Sequence, residues 1–447
     1  MTKSARARLA VAVAAALAAP AAFATNGYFA HGYGTKNKGL AGSGIALPQD
    51  AMHAATNPAG MVFVGDRMDL GLALFSPRRE YSVKGNPSGF PGTFPLEPGT
   101  IESDSEYFFI PHFARNWMLN PDSSFGITVY GNGGMNTDYP DHANPIRNAG
   151  GCGTGTFCAG NTGIDLMQLF VNASYARKLS PSSSWGVSGI LAYQRFEATG
   201  VGSFAPFSSD PANLSNKGYD SATGFGAKLG WQGDVAPGLT LAASYQTEIK
   251  MSEFDDYAGL FAEKGDFDVP ATATLGLAFK VTPASVVTFD LQKIWYSKIN
   301  SVGNPISNLT TPGACVPTGP AGPGAGNGCL GQSGGGGFGW DDMTVAKLGY
   351  QWQTSPDWTW RVGFSKGDQP VGGSEVVFNI LAPGIIEQHY TFGFTKKTGV
   401  SSEFNFAAMY APSNSVKGSN SFEAPNQQTV EVKMDQFEIE ASWGWKF

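Results

Sequence analysis

After Arg67, apolar and polar residues alternate almost throughout, and this period of two commits the chain to β-strands. In 239–251, Leu239, Leu241, Ala243, Tyr245, Ile249 and Met251 share one face, opposite Thr240, Ala242, Ser244, Gln246, Glu248 and Lys250. In 271–281, Ala271, Ala273, Leu275, Leu277, Phe279 and Val281 oppose Thr272, Thr274, Gly276 and Lys280. Ala346, Leu348, Tyr350 and Trp352 oppose Lys347, Gly349 and Gln351, and Trp358, Trp360, Val362 and Phe364 oppose Thr359, Arg361 and Ser365. Successive side chains of a strand point to opposite faces. A soluble sandwich would turn the apolar face to a core. A barrel in lipid would turn it outward and line its lumen with the polar face.

The last strand decides between the two. Residues 435–447 read DQFEIEASWGWKF, with Phe437, Ile439, Ala441, Trp443, Trp445 and Phe447 on one face. A soluble domain has little reason to end on exposed alternating aromatics, which suit an interfacial girdle. Trp445 and the terminal Phe447 also resemble the signal that barrel-assembly machinery reads.

Connections follow a rhythm. Short turns recur at Asn120-Pro121-Asp122-Ser123, Ser180-Pro181-Ser182-Ser183, 233–238, Thr282-Pro283-Ala284, Ser355-Pro356-Asp357 and Lys397-Thr398-Gly399. Between them lie polar, Gly-rich loops near 84–101, 137–161, 201–218, 254–266, 301–340, 369–385 and 412–434. Tight turns on one side and long loops on the other describe a bacterial outer-membrane barrel. The rhythm gives seven hairpins, hence an antiparallel transmembrane barrel of about 14 strands, an even number that closes without a free edge. Composition agrees, with 13% aromatic and only 15% charged residues, against about 25% charged in soluble domains.

Two segments stand apart at the N-terminus. Residues 1–24 carry Lys3, Arg6 and Arg8, an apolar run Leu9–Ala19, and Ala22-Phe23-Ala24. This is a signal peptide with cleavage expected before Thr25; its run is too short for a helical span of about 20 residues. Residues 25–66 are Gly- and Ala-rich and show no alternation. They are expected to form a plug inside the barrel of 67–447. The barrel therefore belongs in the outer membrane of a Gram-negative cell, among lipid and lipopolysaccharide.

Other classes fit poorly. The chain is acidic, at −7 overall and more so once the signal peptide is removed, which argues against nucleic acid as a partner. The five histidines, His31, His53, His112, His142 and His389, make no Ser/His/Asp pattern, so no enzyme is expected. The four cysteines form two near pairs, Cys152/Cys158 and Cys315/Cys329, expected as disulfides rather than a metal site because neither cluster holds a His. No metal or other cofactor is expected.

With these features in place, the chain resembles the FadL/TodX (OMPP1-type) family of outer-membrane transporters over essentially its whole mature length. The residues that carry the resemblance are Gly32-Tyr33-Gly34, the run Lys38 to Gly44 with Gly39 and Gly42, Asn57-Pro58-Ala59-Gly60, Val269 to Gly276, and Arg361-Val362-Gly363-Phe364 with Pro370. The resemblance implies a monomer that takes up long-chain fatty acids or related hydrophobic compounds. It implies passive, ligand-gated diffusion past a movable hatch and lateral exit through a kinked third strand. Aromatic hydrocarbons or alkanes are the alternative cargo of the same family, and a general porin is more remote.

Tyr130-Gly131-Asn132-Gly133-Gly134-Met135 interrupts the expected third strand, so Gly131, Gly133 and Gly134 are the candidates for the kink. Candidates for an apolar ligand groove in the external loops are Phe204, Phe207, Leu214, Tyr257, Leu260 and Phe261. Strand parity points Lys228, Lys250, Lys347 and Arg361 into the lumen, where carboxylates such as Glu248, Asp290 or Glu438 are their expected partners.

Overall fold

The computed structural model describes residues 26–90, 92–144, 153–319 and 322–447. The expected signal peptide, Thr25 and Cys152 lie outside the described residues.

Fourteen antiparallel strands close into one barrel among the described residues. They are β1 (Arg67–Lys84), β2 (Phe108–Asn120), β3 (Ser123–Tyr139), β4 (Thr162–Ser180), β5 (Ser183–Thr199), β6 (Asp220–Ala236) and β7 (Leu239–Gln246). Then follow β8 (Thr272–Thr282), β9 (Ser285–Ile294), β10 (Met343–Ser355), β11 (Trp358–Gly367), β12 (Gln388–Lys397), β13 (Ser402–Ser419) and β14 (Thr429–Lys446). The seam pairs β1 with β14 along its full length, from Arg67↔Lys446 to Lys84↔Thr429.

The tight turns are held by their own side chains. Asn120 Oδ1 accepts the Asp122 amide, Thr282 Oγ1 that of Ala284, and Ser355 Oγ that of Asp357, at 2.9–3.3 Å. Large apolar side chains such as Leu70, Phe225, Leu275, Phe289, Leu348, Phe392, Phe437 and Trp443 stand exposed on the outer face. Many lumenal positions between them are polar and buried, among them Asn116, Ser184, Lys228, Asp290, Arg361 and Glu440. No helix among the described residues is long and apolar enough to cross a membrane.

Residues 26–66 lie within this ring. They contribute only short helical turns, including Thr35–Lys38 and Met61–Val64. Inward side chains around the whole circumference hold them. On β2, Asn116 Nδ2 donates to Met61 O (3.0 Å), and on β5, Ser184 Oγ donates to Ala59 O (2.6 Å). On β9, Asp290 Oδ2 accepts the amides of Gly44 (2.8 Å) and Ile45 (3.0 Å). On β12, Thr391 Oγ1 bonds Gly39 O (3.1 Å) and the Ala41 amide (2.9 Å). On β14, Glu438 (2.7 Å) and Glu440 (2.6 Å) pair with Lys38.

Two expectations about the strands need correction. The segment 412–434 is not a long loop: β13 runs to Ser419 and β14 starts at Thr429, paired as far as Ser419↔Thr429. Its outer face is polar or charged there (Lys417, Glu431, Lys433) and its inner face carries buried Val430, Val432 and Met434, so the alternation inverts while the ladder continues. The stretch 239–251 is not one continuous strand. β6 pairs Lys228↔Gln246 but Phe225↔Lys250, so one extra residue is inserted around Thr247. A one-residue slip exchanges faces. Ile249 and Met251 are therefore buried, and Lys250 stands outside, opposite exposed Phe225.

The two expected disulfides fare differently. Cys315 and Cys329 are joined. The other pairing rests on Cys152, so the expected Cys152–Cys158 bridge falls outside the described residues. Cys158 itself is described: it turns the chain at φ +61°, and Asn144 Nδ2 approaches its Sγ at 3.7 Å. No free cysteine occurs among the described residues.

Candidate functional site: a loop-roofed cavity beside a break in the wall

The β2–β3 ladder stops early. Pairing ends at Phe113↔Val129, although β2 continues to Phe108 and β3 to Tyr139. β1 instead pairs with a short strand, Gly99–Glu102, beyond Phe75↔Phe108. β3 keeps β4 through Tyr139↔Thr162, with one extra residue between Gly131 and Gly133.

The N-terminal segment takes over the abandoned edge of β3. The Ala30 amide donates to Asn132 O and the Gly134 amide to Tyr28 O, both at 3.0 Å, and Phe29 bridges Gly133. A Cβ on Gly133 would sit 1.9 Å from Tyr28 O, so the lack of a side chain is what admits the second backbone. Gly131, the other expected kink residue, starts the slip. The β2–β3 break leaves a cleft of about 360 Å³ in the wall, lined by Tyr107, Phe108, Asn136, Thr137 and Asp138 on its two sides and by Ile164, Asp165 and Glu197 behind.

Inside the wall lies a narrow apolar cavity with about 40 Å³ of free space. β4 and β5 supply Ile164 and Phe196, and four loops supply Phe204, Leu260, Phe261, Leu330, Phe338, Phe378 and Leu381. The rings are in contact, Phe196 with Phe261 at 4.6 Å and Phe204 with Phe378 at 5.4 Å. Ser301 brings the one hydroxyl among the described lining side chains, and it donates to Asp266 O. No Lys, Arg or His appears among the described lining residues.

The cavity roof is tied down. The Cys315–Cys329 disulfide lies in it, and the adjoining Leu330 bonds Phe207 O (3.0 Å) and the Ser209 amide (2.9 Å). Beside it, the Asp266 carboxyl is pushed up to about 8, first by burial and then by Asp268.

Of the six expected groove residues, Phe204, Leu260 and Phe261 reach the cavity. Phe207 packs beside it, Leu214 is buried, and buried Tyr257 uses its hydroxyl on Gly218 O and the Ala198 amide. Phe196, Phe338, Phe378 and Leu381 escaped sequence reasoning because they come from segments with no shared periodicity.

The expected lumenal cations also divide. Lys347 donates to His31 O (3.0 Å), Lys228 to Ala55 O, and Arg361 to Gln49 Oε1 (2.8 Å) and Thr395 Oγ1 (2.8 Å). These three are buried, and amide oxygens of the N-terminal segment, rather than Glu248 or Glu438, hold them. Lys347 has Asp290 directly across the β9–β10 ladder. Lys250, outside the lumen, pairs with Glu248 (2.6 Å) and Asp268 (2.5 Å). Lys228, Lys347 and Asp290 border a separate, small polar chamber of about 40 Å³ against Phe29, Tyr33 and Ile45.

Asn57 caps its own turn, accepting the Ala59 amide on Oδ1 (3.0 Å) and donating to Ile45 O (3.2 Å) and Trp231 O (3.3 Å). Pro58 opens the helical turn that follows. Gly42 has φ +76°, and a Cβ there would strike His31 O at 1.8 Å. Gly39 packs on Gly393 of the wall. Trp445 faces outward, and the Phe447 amide donates to Asp66 O (3.0 Å) while Arg115 lies over its ring.

A family model described as "Outer membrane protein transport protein (OMPP1/FadL/TodX)" matches residues 11–436. The fold is similar to that of the Pseudomonas putida toluene transporter TodX, at 17% identity and TM-score 0.64, covering 95% of this chain and 100% of that one. It is likewise similar to the Ralstonia pickettii toluene transporter TbuX (16%, 0.62, covering 93% and 99%) and to a Pseudomonas aeruginosa FadL homologue (14%, 0.64, covering 94% and 100%). No curated protein matches the chain in sequence. The chain thus belongs to the OMPP1/FadL/TodX family and is one of its outer-membrane β-barrel transport proteins.

Proposed function

We propose that the protein takes up neutral hydrophobic compounds, with monoaromatic hydrocarbons as the best-fitting class. The cargo enters the loop-roofed cavity and leaves sideways through the β2–β3 cleft, without an energy source. The N-terminal segment acts as the hatch, a plug that blocks the straight route through the lumen.

The observation that carries this reading is the cavity lining. Burial contributes about 25 cal/mol per Å² of apolar surface, so aromatic and aliphatic walls extract a greasy solute from water. A buried carboxylate without a partner is costly, and the described lining offers it no cation. Lys228 and Lys347 belong to the other chamber and already bind carbonyls of the hatch. The wall cleft adds Asp138, Asp165 and Glu197, which repel an anion; the Arg195 partner of Asp165 offsets one of them. The toluene transporters TodX and TbuX, to which the fold is similar, support the same class.

Cells expressing the protein are compared with empty-vector cells for uptake of radiolabelled toluene and oleate. A larger gain for toluene is expected. An equal or larger gain for oleate would overturn the neutral-substrate reading and restore fatty acids.

A further inference from the structure

We infer that Ile164, with the Thr137–Leu381 hydrogen bond beside it, is the size-selecting gate between the apolar cavity and the wall cleft. This rests on the sideways release proposed above. Among the described lining residues, Ile164 alone borders both spaces. It is 3% exposed, so its side chain is the partition rather than a rim.

The partition has two parts that differ in stiffness. Ile164 lies on β4, in register between Thr137 of β3 and Ala198 of β5. Its β-branched side chain has few rotamers, so it cannot swing away as a Met or Leu would. Next to it, Thr137 lines the cleft, and its Oγ1 donates to the carbonyl of Leu381, which lines the cavity (2.8 Å). Tyr139 makes the neighbouring tie to Ile380 O (3.0 Å).

One neutral hydrogen bond is easily exchanged, so the loop side of the partition can yield while the β4 side holds. A solute crossing here is therefore sized against a fixed branched side chain on one side and a movable loop on the other. A flat ring passes once Leu381 withdraws. A wider solute needs the Ile164 side chain removed.

The test uses the full-length protein and separates binding from passage. Toluene binding to the purified barrel is measured by calorimetry, and uptake of toluene and naphthalene is measured in cells. Ile164→Trp is expected to cut toluene uptake at least tenfold, by a larger factor than it weakens toluene binding. Ile164→Ala is expected to raise the naphthalene-to-toluene uptake ratio at least fivefold. Gel mobility before and after heating confirms that each variant forms the barrel. Unchanged toluene uptake in Ile164→Trp, or an unchanged ratio in Ile164→Ala, would overturn the gate. Should the wild type prefer oleate, the substrate reading falls, and the gate is then judged on oleate: a block by Ile164→Trp supports it and free passage refutes it.

Discussion

Gly134 donates its amide to the carbonyl of Tyr28 at 3.0 Å, in the place that a β2 carbonyl would fill in an unbroken wall. The broken strand is thus not left with bare backbone. An unpaired N–H in a barrel wall is costly, and the N-terminal segment satisfies it from inside.

Gly133→Val follows directly. Its side chain would collide with Tyr28 O, so the Asn26–Ala30 contact should be lost. Hydrogen exchange at Ala30 and Gly134 is expected to rise at least tenfold, with the barrel still heat-modifiable on a gel. Unchanged protection would show that the bridge bears none of this role.

Lys38→Met leaves Glu438 and Glu440 buried without their cation. Breaking a buried pair by removing one partner costs about 3–5 kcal/mol, so a clear fall in Tm in detergent is expected. Adding Glu438→Gln and Glu440→Gln to the same protein should recover part of it. A Tm equal to wild type in the single variant would count against the pairing.

The Cys315–Cys329 disulfide closes a short loop over the cavity, with 14 residues of separation. The chain-entropy model assigns such a loop about 3 kcal/mol. Cys315→Ser with Cys329→Ser should therefore expose the 311–331 region to protease and weaken toluene binding. The barrel strands should keep their thermal transition.

Asp266 gives the loop layer a pH dependence. Its folded value, about 8, lies above the usual carboxylate value of about 4. Its contribution is therefore complete below about pH 4 and is lost as pH rises through about 8. Hydrogen exchange of residues 261–269 should speed up between pH 6 and pH 9 beyond the chemical rate. Asp266→Asn should remove that extra change; an identical profile in the variant would refute the assignment.

Much of the wall was legible because one face of each strand repeats every second residue. Leu275, Leu348 and Phe437 announce their side by that pattern alone, and Pro121, Pro181 and Pro283 mark the turns. Lys250 was misplaced because a single inserted residue near Thr247 leaves no mark in hydrophobicity. The ends of β13 and β14 were hidden because the apolar residues change sides there, Glu431 and Lys433 outside and Val430, Val432 and Met434 inside, while the hydrogen bonds persist. The cavity was half visible: Phe204 and Phe261 sit in recognisable loops, whereas Phe338 and Phe378 meet them only through long-range folding.

Thr35 donates to Glu440 across 405 residues of sequence, at 2.7 Å, and Lys38 meets the same carboxylate. Glu440 stands on β14, the strand whose pairing with β1 shuts the seam. A cylinder that zipped up empty would seal two carboxylates away from the counter-ion they need. Seating the start of the polypeptide and fastening its end are thereby linked in energy, because each leaves the other's buried charges unpaired when it is missing.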